Sequence, residues 1–131
     1  MILGIGTDLC QVDRIARSLA RQNFVAHVFS EEEQHLLNSR QGKARAETAA
    51  ANFAAKEAFL KACGTGLAGF ALAEVAVLRR PTGAPCYQLG GRAEEWARRN
   101  HVTAHLSLTH EAGLACAFVV LEAPDAQGGD C

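Results

Sequence analysis

No CxxC pair, no G-x-S-x-G elbow and no Walker-type phosphate loop occurs in these 131 residues. The five cysteines, Cys10, Cys63, Cys86, Cys116 and Cys131, are odd in number and scattered. That argues against a disulfide framework or a zinc site and for small core residues of a reducing compartment. Charge of one sign is also missing. Thirteen basic against 14 acidic residues leave a net charge of −1, so no global field points to nucleic acid or a membrane surface. No apolar run approaches the roughly 20 residues that cross a bilayer. The N-terminus has no basic segment followed by an apolar core, so no signal peptide is expected. A cytoplasmic location follows, with no nucleic acid and no membrane as partner. There is no internal repeat. The length predicts one domain with a modest core, residues 1–122, and the small, polar 123–131 reads as a disordered tail.

What is present concentrates between Ala49 and Gly66. From Ala49 to Cys63 only Asn52, Lys56, Glu57 and Lys61 are polar. No Pro or Gly interrupts, and Ala and Leu favour helix. A helix apolar nearly all round is a buried one. Its polar residues fall on two i,i+4 lines, Asn52 with Lys56 and Glu57 with Lys61. Gly64 ends the helix as a residue free to adopt a left-handed cap. A carboxylate and an ammonium on one line, followed by Gly64-Thr65-Gly66, suit a metal-bound phosphate. The plainer reading is an ordinary helix salt bridge.

The flanking segments predict an α+β domain, with a mainly antiparallel sheet wrapped around this long helix. Met1 to Leu9 reads as a strand, with Leu3, Ile5, Thr7 and Leu9 on one face and Gly4, Gly6 and Asp8 on the other. The two glycines leave room for something close to the backbone. Asp8 is either a ligand there or a turn residue. Asp13 is placed to cap a helix over 14–22 that carries Arg14, Arg17 and Arg21 at i, i+3 and i+7. That basic stripe is a solvated face or a dock for an acidic partner. Ser30 and Glu33 form a capping box for a helix to Asn38. Arg40, Lys43 and Arg45 fall in the next connection, and the central helix is expected over 44–63.

The turn over 64–69 fits neither GxxxxGK[ST] nor GxGxxG, and it follows a helix where those motifs precede one. A P-loop or Rossmann fold is therefore disfavoured. Strands are predicted over 74–79 and 86–89 around a turn at 81–84, then a helix over 91–100. A strand over 102–109 puts His105, Ser107 and Thr109 on one face and Leu106 and Leu108 on the other. A turn at 110–113 leads to a closing strand over 114–121. Ser107 and His110 have opposite parity, which disfavours a Ser/His nucleophile pair.

Three stretches together resemble one family. They are Gly4-Ile5-Gly6-Thr7-Asp8 with Arg14-Ile15; Phe53-Ala54-Ala55-Lys56-Glu57-Ala58 with Lys61-Ala62 and Gly64-Thr65-Gly66; and His105-Leu106-Ser107-Leu108-Thr109-His110. Their order and spacing are similar to the short bacterial 4′-phosphopantetheinyl transferases, the holo-(acyl-carrier-protein) synthases. The resemblance implies that family's fold and its reaction. That reaction moves 4′-phosphopantetheine from coenzyme A to a serine of apo acyl carrier protein, in fatty acid biosynthesis, and releases adenosine 3′,5′-bisphosphate. It implies catalytic roles for Asp8, Glu57 and Lys61, with Asp8 and Glu57 binding Mg²⁺. It implies that Lys61 contacts the pyrophosphate side of coenzyme A and His105 the nucleotide part. The glycine turn, Gly64, Thr65 and Gly66, can bring backbone N–H groups near phosphate. It also implies a homotrimer with each site between two subunits.

In-line transfer of this kind is dominated by positioning and charge neutralisation, so the chemistry agrees with the residues. Mg²⁺ is content with one or two carboxylates plus waters and phosphate oxygens. Glu57 or a Mg²⁺-bound water could take the serine proton. The nucleophile belongs to the partner, which explains why this chain has no elbow of its own. Because carrier proteins are acidic, the stripe gains meaning. Arg14 matches the family's carrier-contact position, and Arg17 and Arg21 follow by helical spacing. Two departures stand out. Asn52 occupies a position where the family often has Arg, and Ala84 one where many relatives have Lys. Arg45 is the candidate to supply the missing charge toward coenzyme A. The rival readings are a non-catalytic module that binds coenzyme A or carrier protein, and a metal-dependent phosphoesterase acting on a nucleotide. A nucleic-acid binder is weaker, since three arginines do not make a basic domain.

Overall fold

The computed structural model describes residues 1–64 and 69–125. Everything in it is arranged about the long helix. In chain order the elements are β1 (Ile2–Gln11), α1 (Val12–Ser18), α2 (Gln22–Val28), α3 (Glu31–Asn38), α4 (Gly42–Ala62), a 3-10 turn (Leu72–Glu74), β2 (Val75–Arg79), β3 (Pro85–Leu89), α5 (Gly91–Arg99), β4 (Thr103–Glu111) and β5 (Leu114–Glu122). One antiparallel sheet has the order β1-β5-β4, and β2-β3 form a separate antiparallel hairpin. The α+β architecture expected from the sequence is the one observed.

The composition of α4 explains how it can be sandwiched. Ala49, Ala50, Ala54, Ala55, Ala58 and Phe59 are completely buried. Alanine keeps the helix surface thin, so strands approach its backbone from more than one side. β1 comes closest. A Cβ on Gly4 would lie 1.9 Å from the Ala62 carbonyl oxygen, and one on Gly6 would lie 1.9 Å from that of Ala58. The space the two glycines leave is filled by the α4 backbone. Opposite them, β1, β4 and β5 turn a second face outward. On it Ile5 and Leu9 are 61% and 64% exposed and Phe118 is 46% exposed.

The polar line Asn52–Lys56 faces inward. Lys56 Nζ donates to Glu33 Oε1 at 2.5 Å, to Leu72 O at 3.0 Å and to Val75 O at 2.9 Å. Asn52 Nδ2 donates to Glu33 Oε2 at 3.1 Å and to Val77 O at 2.9 Å. Glu33 also completes the predicted capping box with Ser30. Burial pulls the Lys56 ammonium below its ordinary pKa and Glu33 opposes that. One ion pair thus ties α3, α4 and the start of β2 together. Removing either partner of such a pair strands a buried charge, at about 3–5 kcal/mol.

The helix expected over 14–22 is instead two helices. α1 stops at Ser18, whose Oγ donates back to Arg14 O, and α2 starts after Arg21, which is extended. Core geometry gives the reason. At about 100° per residue, Val25 and Val28 on one continuous helix would sit roughly 80° and 140° away from Ile15. All three are buried, so the chain must break between them. Asp13 lies in the first turn of α1 and Gln11 is its N-cap, so Asp13 is not the cap. α4 begins at Gly42, which has a φ of +54°, so Lys43 and Arg45 are helical rather than in a connection. β4 continues to Glu111, and the turn before β5 is confined to Ala112 and Gly113.

Candidate active site

The register of β1 fixes the face on which Asp8 stands. Gly4 and Gly6 meet α4, and Asp8, two residues further on, meets the same helix at Lys61. Lys61 Nζ donates to Asp8 Oδ1 at 3.0 Å and to Thr7 O at 3.0 Å. The Lys61 side chain is 57% exposed and the Asp8 side chain 19%. Glu57 lies one turn before Lys61 on the same line. Its carboxyl is held above the ordinary range, first by burial and then by the negative charge of Asp8, against the pull of Lys61 and Arg14. Two carboxylates therefore repel one another beside a single ammonium, open to solvent. Gly64 ends α4 with a φ of +72°, and its N–H donates to Lys61 O at 3.1 Å. Thr65 and Gly66 lie outside the described residues.

Arg14 borders this cluster. It lowers the Glu57 carboxyl, and it also lowers the nearby Cys10 thiol, which burial nonetheless pushes up to about 11. The basic stripe thus begins at the rim of the site. Arg17 follows on α1. Arg21 follows beyond the break, donating to Ser18 Oγ at 3.3 Å and standing 5.8 Å above the Phe24 ring. Arg21, Phe24, His27 and Val28 line a groove of about 600 Å³. Phe24 packs toward Phe53 on α4, with ring centroids 6.2 Å apart. The sequence reading missed this groove, although Phe24, Val25, Val28 and Phe29 carry the i, i+1, i+4, i+5 spacing that marks a helix face.

Two candidates are not brought to the cluster within one chain. His105 pairs in register with Val120, and Val120 with Ile5, so it stands on the outward sheet face, where Nε2 meets Glu122 Oε1 at 3.0 Å. Asp8 faces the other way. Arg45 stands 12 residues before Glu57 on α4, about 18 Å along the helix axis. Asn52 is completely buried against Glu33 and Val77. It is an internal replacement and makes no surface contact.

Metal chemistry is compatible with this donor set. Among the described residues no three His, Cys, Asp or Glu converge, so the oxygen pair Asp8 and Glu57 is what the site offers a cation. Two neighbouring carboxylates, with Glu57 raised by the charge of Asp8, beside a partly exposed ammonium, suit a hard ion that keeps waters and takes phosphate oxygens. The residues present fit Mg²⁺.

Fold and cluster together define a class of small phosphoryl-type transferase built on a glycine-backed strand and one helix. Residues 4–119 match the model of the 4′-phosphopantetheinyl transferase superfamily, and the chain belongs to that family. Its relatives bear a narrower description. A holo-[acyl-carrier-protein] synthase of Treponema denticola is 42% identical over 124 residues, covering 93% of this chain and 99% of that one. The crystal structure of a holo-[acyl-carrier-protein] synthase from Neisseria meningitidis superposes with a TM-score of 0.83 at 32% identity, covering 93% of this chain and 99% of that one. Another, from Bacillus anthracis in complex with coenzyme A (3′,5′-ADP), gives a TM-score of 0.80 at 31% identity, over 95% and 99%.

Proposed function

We infer that this chain is a holo-(acyl-carrier-protein) synthase, moving 4′-phosphopantetheine from coenzyme A to a serine of apo acyl carrier protein. The observation that carries the reading is the Asp8–Glu57–Lys61 cluster at the meeting of β1 and α4. Asp8 and Glu57 would hold Mg²⁺, which supplies charge neutralisation at the pyrophosphate. Lys61, exposed and held beside Asp8 with one donor to spare beyond its bonds to Asp8 and Thr7 O, would meet the charge that develops on the leaving bisphosphate. Glu57, with its raised proton affinity, is suited to accept the proton of the attacking hydroxyl. No helix of the described chain is long and apolar enough to cross a membrane. With unpaired thiols at Cys10, Cys63, Cys86 and Cys116, a reducing cytoplasm suits it.

Appearance of adenosine 3′,5′-bisphosphate, followed by chromatography, tests the reaction class. Release that requires apo carrier protein supports transfer. Release without any carrier favours the phosphoesterase, and binding of coenzyme A without release favours the non-catalytic module.

Carrier protein would dock on Arg14, Arg17 and Arg21 and the adjoining Phe24 groove. Arg14→Glu is expected to lower kcat/KM for carrier protein about tenfold or more at low salt, with less effect as salt rises. The Kd of coenzyme A should change far less. Equal losses toward both substrates would remove the docking role.

Self-association completes the reading. The outward sheet face carries Ile5, Leu9, Leu114 and Phe118 in one apolar patch, with His105 on the same face. Such a patch calls for a protein partner. The family resemblance makes that partner two further copies of this chain, so that His105 of one faces the cluster of another. Phe118→Glu should then convert a trimer to monomers in light scattering and cost most of the activity. A monomeric wild-type chain with full activity would refute the shared site.

A further inference from the structure

Alanine makes α4 thin, and it also makes it smooth. Ala49, Ala50, Ala54, Ala55 and Ala58 are completely buried, and a methyl group offers little ridge to resist a turn of the helix about its axis or a slide along it. Gly4 and Gly6 let β1 come close to Ala62 and Ala58, but closeness alone has no direction. Direction comes from polar side chains.

Asn52 and Lys56 supply it on the side of β2. Asn52 Nδ2 donates to Val77 O at 2.9 Å, and Lys56 Nζ donates to Val75 O at 2.9 Å. The donors are four residues apart on the helix, about 6 Å along its axis, and the acceptors are two residues apart on the strand, about 6.6 Å. The spacings match, so α4 is pinned to β2 at two points. A slip of one residue would turn both donors about 100° away from the strand. Glu33 closes the arrangement from α3, accepting from Lys56 at Oε1 and from Asn52 at Oε2.

Stability does not explain this choice. Apolar side chains of the same volume often leave a protein as stable as a buried ion pair does, or more so. The network also leaves Asn52 Oδ1 buried with no hydrogen-bond partner among the described residues, which is destabilising. What the polar groups provide, and an apolar filling would not, is one rotation and one register of α4. Both matter on its other faces. Glu57 follows Lys56 by about 100° around the helix and Lys61 by about 140°. Lys61 Nζ there meets Asp8 Oδ1 at 3.0 Å. A carboxylate stands roughly 5 Å from the helix axis, so a turn of about 10° moves it by about 1 Å. A misplacement of about 1 Å can cost about 100-fold in rate.

We propose that Lys56 and Glu33 are positioning residues for the reaction, holding α4 in the rotation that places Glu57 and Lys61 against Asp8. The reaction they serve rests on the transferase reading, whereas the hold on α4 does not.

The test is Glu33→Gln/Lys56→Met. It removes both charges together, so neither is stranded, and it keeps at position 33 an acceptor for the Ser30 N–H. Thermal melts check folding. Glu33→Gln alone, which keeps the Lys56 bonds to Leu72 O and Val75 O, is read in the same way if the double variant does not fold. The double variant is expected to lose about 10- to 100-fold in kcat, with KM for carrier protein within about threefold of wild type. Crystal structures of wild type and variant, superposed on β1 and β5, should show α4 turned by about 10° or more, carrying Glu57 and Lys61 with it. A merely structural pair would change the melting temperature and leave kcat of the folded protein unchanged. A folded variant with Glu57 and Lys61 within about 0.5 Å of their wild-type places overturns the proposal, and so does a turned α4 with unchanged kcat. A wild-type chain that transfers nothing sinks the transferase reading by itself, while the superposition still decides whether the pair holds α4.

Discussion

Gly6→Ala is expected to destabilise the fold by about 3 kcal/mol or more, at the upper end of what overpacking costs. The added methyl would meet the Ala58 carbonyl oxygen at 1.9 Å. That obstacle is helix backbone and cannot rotate away as a side-chain tip could. Either β1 lifts off α4 or the helix bends, and both moves separate Asp8 from Lys61. Gly4→Ala meets Ala62 in the same way, so a double variant should not fold. A melt followed by circular dichroism reads the effect as a fall in Tm of more than about 10 °C. A change within about 0.5 kcal/mol, the ordinary range for surface substitutions, would mean that strand and helix are not in this contact.

Glu57→Gln is expected to lower kcat by about 100-fold or more, the scale of losing one charge-stabilising group in a reaction centre. The amide preserves volume and removes the charge. Stability should move the other way. The folded-state pKa of Glu57 is raised, so its contribution to stability is complete below the ordinary carboxylate pKa and is lost as pH rises through the folded value. At neutral pH the ionised Glu57 therefore opposes folding in the metal-free protein, and the glutamine relieves it. The variant should melt higher than wild type at pH 7 in chelator, with the difference fading toward pH 4. Added Mg²⁺ should narrow the gap by stabilising wild type more. An inactive variant that melts well below wild type would have failed as a fold and would say nothing of catalysis, whereas full turnover would remove Glu57 from the site.

The part of this structure that could be seen in the sequence is the part governed by local rules. Apolar residues from Ala49 to Cys63 made α4 evident, Gly64 marked its end, and alternation placed His105, Ser107 and Thr109 together. The capping box at Ser30 was visible because cap and partner are three residues apart. Its Glu33 does a second job that no local rule reveals. The pairing with Lys56 spans 23 residues and exists only once α3 lies across α4. The glycines of β1 announced a close approach without naming what approaches. The break between α1 and α2 has no Gly or Pro to announce it, because tertiary burial of Val25 and Val28 drives it. Asp8, Glu57 and Lys61 were named from spacing and resemblance, and Asp8 and Lys61 do meet.

Intact-mass spectrometry of apo acyl carrier protein, incubated with this protein, coenzyme A and Mg²⁺, tests the central claim most directly. A gain of one phosphopantetheinyl group on the carrier serine, abolished by chelator and by Glu57→Gln, is the predicted result. Carrier protein of unchanged mass, with several apo carriers supplied and coenzyme A bound by the folded chain, would contradict it.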